Sequence, residues 1–176
     1  MNGSPALPDF GTDPKQKSAA YRELDAALAA LLTGEHNLIA NLANTSALLF
    51  QALPQLNWAG FYLWQADARQ GEGELVLGPF QGKPACVRIA AGRGVCGTAV
   101  ERRATVLVPD VHAFPGHIAC DVASNSEIVV PLIHGDRTRG ALIGVLDLDS
   151  PIKNRFDDSD REGLERIVAT LLRSLR

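Results

Sequence analysis

Cysteine is scarce in this 176-residue chain: Cys86, Cys96 and Cys120 are its three. A secreted disulfide scaffold carries more of them, usually an even number in a shorter chain, so that class is excluded. The spacings 86–96 and 96–120 are too long for the C-x-x-C pair that marks many zinc and thioredoxin-type centres. Long apolar runs are also missing; nothing approaches the ~18–20 residues of a spanning helix. Residues Met1 to Asp13 hold Gly3, Pro5, Pro8 and Gly11, with no basic patch before an apolar core, so they do not read as a signal peptide. A basic excess is lacking: 17 Lys and Arg face 20 Asp and Glu, a net charge of −3. That balance argues against nucleic-acid binding, which depends on a basic face. No D-x-D-x-D-G calcium loop, internal repeat or low-complexity tract is present. These absences lead us to expect a cytoplasmic protein without membrane or nucleic-acid partners, in a compartment where thiols stay reduced unless they do redox work.

What is present is an ordinary globular composition, 46% hydrophobic and 21% charged. The length fits one domain, large enough to fold without metal or disulfide. Residues 1–17 read as a disordered lead-in and 18–176 as the domain. Tyr21, Leu24, Leu28 and Leu31 recur at the helical period between Ser18 and Thr33. A second helix spans about His36 to Leu53 and ends at Pro54. The texture then turns to strands: Trp58 to Trp64, Glu74 to Phe80, Cys86 to Ile89, Thr105 to Val108, Glu127 to Ile133 and Ala141 to Leu148. Residues 65–73 and 135–140 read as hairpin tips. Ala90 to Gly97, with three glycines, reads as a turn-rich loop, and 98–103 as a short helix. The acids from Asp157 to Glu162 suit the positive end of a last helix, whose stripe is Leu164, Ile167, Val168, Leu171 and Leu172. Helices and hairpin-linked strands segregate, which predicts an α+β domain: a central antiparallel sheet with helices packed on one face.

Three uses of the cysteines are open on this reading. They are buried small hydrophobes, a Cys₃His zinc site with His112 or His117, or a redox set. Cys96 lies among Gly92, Gly94 and Gly97, and Cys120 near Asp121, Ser124 and Asn125, which are loop settings that favour function. Cys86 opens a strand directly after Gly82-Lys-Pro84. Such a set supplies an attacking thiol and resolving thiols. Asp147 and Asp149 share one face of their strand. Glu127 opens the hairpin partner, so the three acids converge at the sheet end away from the 135–140 turn. Like charges held close raise at least one pKa and leave a proton to donate; the competing use is a hard-cation site. Trp58 and Tyr62 share a strand face and form either core or an aromatic ligand wall.

The ordered segments Asn57-Trp-Ala-Gly-Phe-Tyr62, Leu77-Gly-Pro-Phe-Gln-Gly-Lys83, Ala85-Cys-Val-Arg88, Gly92-Arg-Gly-Val-Cys-Gly-Thr98, Asp110-Val-His112, Gly116-His-Ile-Ala-Cys-Asp121, Ser124-Asn-Ser-Glu-Ile-Val129 and Gly144-Val-Leu-Asp-Leu-Asp149 resemble the free methionine-(R)-sulfoxide reductases, which are GAF-domain enzymes. The resemblance runs from about Ser18 to Leu175. It implies a single GAF domain with a loop-enclosed pocket on the sheet face opposite the helices. It implies reduction of free L-methionine-(R)-sulfoxide, with no bound cofactor and no metal. Thioredoxin is the implied reductant, served upstream by NADPH and thioredoxin reductase, and a homodimer is the implied assembly. Position by position, Cys120 matches the catalytic cysteine, Cys86 the principal resolving cysteine and Cys96 an auxiliary one. Glu127, Asp147 and Asp149 match substrate-binding acids, with Glu127 or Asp149 as proton donor, and Trp58 and Tyr62 match pocket aromatics. The tips 65–73 and 135–140 are longer than the resemblance leads one to expect.

Overall fold

Each long helix starts where a short polar side chain satisfies the first free amides. In the computed structural model, which describes residues 7–11, 13–66, 73–116, 122–136 and 138–175, Asp13 accepts from the Lys15 amide and Pro14 takes the first helical position of α1 (Pro14–Leu31). Asn37 caps α2 (Leu38–Ala52) through the Ala40 amide. Asp157 and Asp160 form a reciprocal capping box at the start of the last helix, Asp158–Ser174. The first helix therefore begins four residues before Ser18, where apolar periodicity alone placed it, because its cap precedes its stripe. The expected lead-in boundary at residue 17 falls inside this helix. Lys17 is buried, and Phe10 packs edge-on against Tyr21 at 4.9 Å.

Six strands follow the first two helices: β1 (Trp58–Ala66), β2 (Gly73–Gly82), β3 (Arg88–Ala90), β4 (Val106–Val108), β5 (Ser126–His134) and β6 (Ala141–Ser150). They form one sheet in the order β3-β2-β1-β6-β5-β4, with every pairing antiparallel. A short helix α3 (Gly94–Arg102) lies between β3 and β4, a 3-10 turn covers Val111–Ala113, and the final helix is α4. This is the expected α+β architecture. Among the described residues no helix is long and apolar enough to cross a membrane.

Strand alternation splits the core in two. Ala59, Phe61, Ile128, Val130, Leu146 and Leu148 face α1, α2 and α4 and join Tyr21, Leu24, Leu28, Leu42, Leu164 and Ile167. Trp58, Tyr62, Val129 and Val145 face the other way and meet Val95, Cys96 and Ala99 of α3. α1 and α4 pack side by side.

The α1–α4 seam holds a buried ionic network. Asp160 is wholly buried and accepts from Lys17 Nζ at 2.6 Å, Tyr21 Oη at 2.9 Å, Arg155 Nη1 at 3.2 Å and the Asp157 amide at 3.0 Å. Removing one member of such a set leaves buried charges uncompensated. Asp160→Ala is expected to cost roughly 3–5 kcal/mol and to lower Tm by about 10 °C. Calorimetry beside the wild type measures this.

Candidate active site

The pocket is laid out by strand register. Trp58 pairs with Asp149 and Gly60 with Asp147, while Glu127 pairs with Asp149 and Val129 with Asp147. Paired residues share a face, so β1, β6 and β5 bring Trp58, Tyr62, Asp147, Asp149 and Glu127 to one side. There they line a single pocket with Ala85, Ile89, Arg93, Cys96 and Ser124. Its empty volume, with the open mouth included, is ≈ 530 Å³.

One wall is aromatic. Trp58 stacks between Tyr62, at 5.8 Å, and Phe80, at 5.3 Å. Gly60 makes that stack possible: a Cβ there would stand 2.3 Å from Phe80 Cβ and 2.7 Å from Trp58 Cη2. The Trp58 indole donates to the Lys83 carbonyl at 3.1 Å and so joins this wall to the segment leading to Cys86. Phe80 was not among the residues singled out in the sequence; the stack depends on the missing side chain at Gly60.

Cys96 is not on a loop. The glycines around it shape a helix entry instead. Gly92 and Gly94 have positive φ, and a Cβ on Gly97 would stand 2.5 Å from the Ala90 carbonyl oxygen. α3 therefore starts at Gly94, lies close against β3, and carries Cys96 in its first turn, buried beneath the pocket. The pocket is accordingly walled by a helix as well as by loops. No side chain caps the α3 N-terminus, where Arg93, Gly94 and Val95 line the pocket; a helix N-terminus of this kind favours an anion. This feature was missed in the sequence because the glycines there read as a turn.

Cys86 precedes β3 rather than opening it. It sits half-buried in the connection from β2, where the Leu77 amide donates to the Val87 carbonyl at 3.0 Å. It is disulfide-bonded, and Cys96 is free. Cys120, Asp121 and His117 lie outside the described residues, as does most of the 65–73 tip. His112 binds Asn125 at 3.0 Å. Asn57 donates to the Ser124 hydroxyl at 3.0 Å, and its amide to the Asp149 carbonyl at 3.1 Å. These bonds fasten the start of β5 to the edge of the pocket.

Burial dominates the electrostatics. Glu127 and Asp147 are each 6% exposed. Burial, then the charges of Asp147 and Asp149, push the Glu127 carboxyl well above the carboxylate range. Burial lifts Asp147 to about 7, although hydrogen bonds from Cys96 and Glu127 pull the other way. The Cys96 thiol is pushed up by burial and then by Asp147 and Glu127. At neutral pH the floor thus holds dissociable protons beside a neutral thiol. Such a floor can donate a proton to a bound oxygen and can take an organic cation.

A family profile described as GAF domain matches residues 39–175. The chain is 54% identical over 155 residues to the free methionine-R-sulfoxide reductase of Escherichia coli, covering 88% of each chain. It is 47% identical over 148 residues to the enzyme of that name in Saccharomyces cerevisiae, covering 82% of this chain and 79% of that one. The X-ray structure of free methionine-R-sulfoxide reductase from Neisseria meningitidis in complex with its substrate is 45% identical. It superposes with a TM-score of 0.83 over 97% of this chain and 95% of that one.

The Asp147 shift carries a sign. The folded protein keeps a proton up to about pH 7 that the unfolded chain releases near ~3.9. Stability from this group is full below the lower value and is lost as pH rises through the higher one. Asp147→Asn is expected to raise Tm at pH 8 by roughly a few °C, with little change at pH 4. Thermal melts of both proteins across pH 4 to 8 test this.

Proposed function

Because the chain belongs to the GAF-domain family of free methionine-(R)-sulfoxide reductases, we propose that it reduces free L-methionine-(R)-sulfoxide to L-methionine with its own thiols. One observation supports this above the rest. The buried acids Glu127 and Asp147 and the half-buried Asp149 meet an aromatic wall in a pocket whose edge leads to a disulfide-bonded cysteine.

Asp147 is the first partner for the substrate ammonium, since its carboxylate lies on the floor and a bound cation offsets the cost of ionising it there. The substrate carboxylate turns to Arg93 and the N-terminus of α3, and its aliphatic part lies along Trp58 and Tyr62. A pocket that holds both charged ends excludes a methionine inside a peptide.

In the reduced protein the Cys120 thiolate attacks the sulfoxide sulfur while Glu127 protonates the oxygen. Asp149 is the other candidate donor. The oxygen then passes from the substrate sulfur to the Cys120 sulfur as the bond between the two sulfurs breaks, so methionine leaves and Cys120 carries the hydroxyl as a sulfenic acid. The substrate sulfur is reduced by two electrons and the Cys120 sulfur oxidised by two. The Cys86 thiol then attacks the Cys120 sulfur. A disulfide forms, and the hydroxyl leaves as water with the thiol proton. Thioredoxin's dithiol exchanges with that disulfide and is itself oxidised. Cys96, a buried thiol, serves as the auxiliary.

Thioredoxin-coupled NADPH oxidation with free methionine-(R)-sulfoxide tests the reading. The wild type should turn over the free (R) form and leave the (S) form and a peptide-bound sulfoxide untouched. Cys120→Ser should lose at least a thousandfold in kcat. Cys86→Ser should give about one methionine per protein molecule and then stop. A folded wild type that binds the sulfoxide without reducing it would favour a small-ligand sensor instead.

A further inference from the structure

We propose that the pocket floor is also a site for a borderline divalent cation of the zinc class, held by Cys96 Sγ and one carboxylate oxygen each from Glu127 and Asp147. The three donor atoms lie within 4.8 Å of one another, and all three residues are at least nine-tenths buried. They stand on three regular elements: α3 carries Cys96, β5 carries Glu127 and β6 carries Asp147. Their relative positions are therefore set by packing.

A second observation points to a ligand. Asp147 Oδ1 is buried and has no hydrogen-bond partner, although its residue takes hydrogen bonds from Cys96 and Glu127. A buried carboxylate oxygen left bare is costly, and this residue lines the pocket. A cation bound at this carboxylate through Oδ1 would satisfy it.

The donor set selects the ion. One thiolate and two carboxylates suit Zn²⁺, with a bond of ~2.3 Å to sulfur and ~2.0–2.2 Å to oxygen. Mg²⁺ and Ca²⁺ require shells of six or more oxygens and gain little from sulfur. Donors of a tetrahedral zinc lie under ~4 Å apart, so the side chains need to close by about an ångström. Three protein ligands leave the fourth position facing the pocket for water. On binding, the ion takes Cys96 as thiolate and the thiol hydrogen leaves to solvent.

The test uses no turnover, so its failure and a failure of the reductase reading are distinguishable. Protein is oxidised until one free thiol remains and is titrated with Co²⁺ as a spectroscopic probe. The expected result is one Co²⁺ per chain, with tetrahedral d–d bands and a near-ultraviolet thiolate-to-cobalt band. Zn²⁺ should abolish these bands, and excess Mg²⁺ should not. Cys96→Ser should lose the thiolate band, and Asp147→Asn should weaken Co²⁺ binding at least tenfold. Asp149→Asn, which leaves the three donors in place, should keep the spectrum; circular dichroism checks that each variant is folded. Absence of a thiolate band in the folded wild type, or its survival in folded Cys96→Ser, overturns the proposal.

Discussion

The antiparallel register of β1, β6 and β5 is the constraint on which the rest of the pocket depends. Trp58, Asp149 and Glu127 lie side by side across three strands, and Gly60, Asp147 and Val129 form the next row. A slip of one residue in β6 would turn Asp147 and Asp149 into the helix-packed core and Leu146 and Leu148 into the pocket. Neither face would survive that exchange. The apolar packing that fixes β6 against α1, α2 and α4 thus also fixes the acids, and the stability of one face holds the chemistry of the other in place.

That arrangement has an electrostatic cost with a functional meaning. Two buried carboxyls, a buried thiol and the half-buried Asp149 share one floor, and their charged forms oppose one another. A fold selected only for stability would place apolar residues there. A preorganised acidic floor instead leaves free energy to be released when a positive group arrives. Charge complementarity of this kind discriminates strongly by the sign and position of the ligand's charge.

Much of this was legible in the sequence, for identifiable reasons. The period of two in Leu146-Asp-Leu-Asp149 and the hairpin linking it to Glu127 place three acids at one sheet end before any coordinates are known. Caps, stripes and hairpins likewise announce the α+β order. What was hidden depends on contacts distant in sequence or on what glycine lacks. The glycines near Cys96 look like a flexible loop, yet they permit a helix to lie tightly on β3. The Phe80 stack needs an empty space at Gly60. The Asp160 network joins groups about 140 residues apart that no local pattern connects. The start of α1 was misjudged because its cap, Asp13, is not part of the apolar stripe.

The indole of Trp58 has a single N–H, and it is committed to the Lys83 carbonyl. The ring that walls the pocket is thereby hinged to the chain three residues before Cys86. The pocket wall and the segment leading to the disulfide-bonded Cys86 form one mechanical part: whatever tilts the ring pulls on the stretch that carries that sulfur. A bulkier guest cannot be admitted by letting the ring swing aside unless that strap gives way, so the shape of the cavity and the position of the Cys86 sulfur must change together.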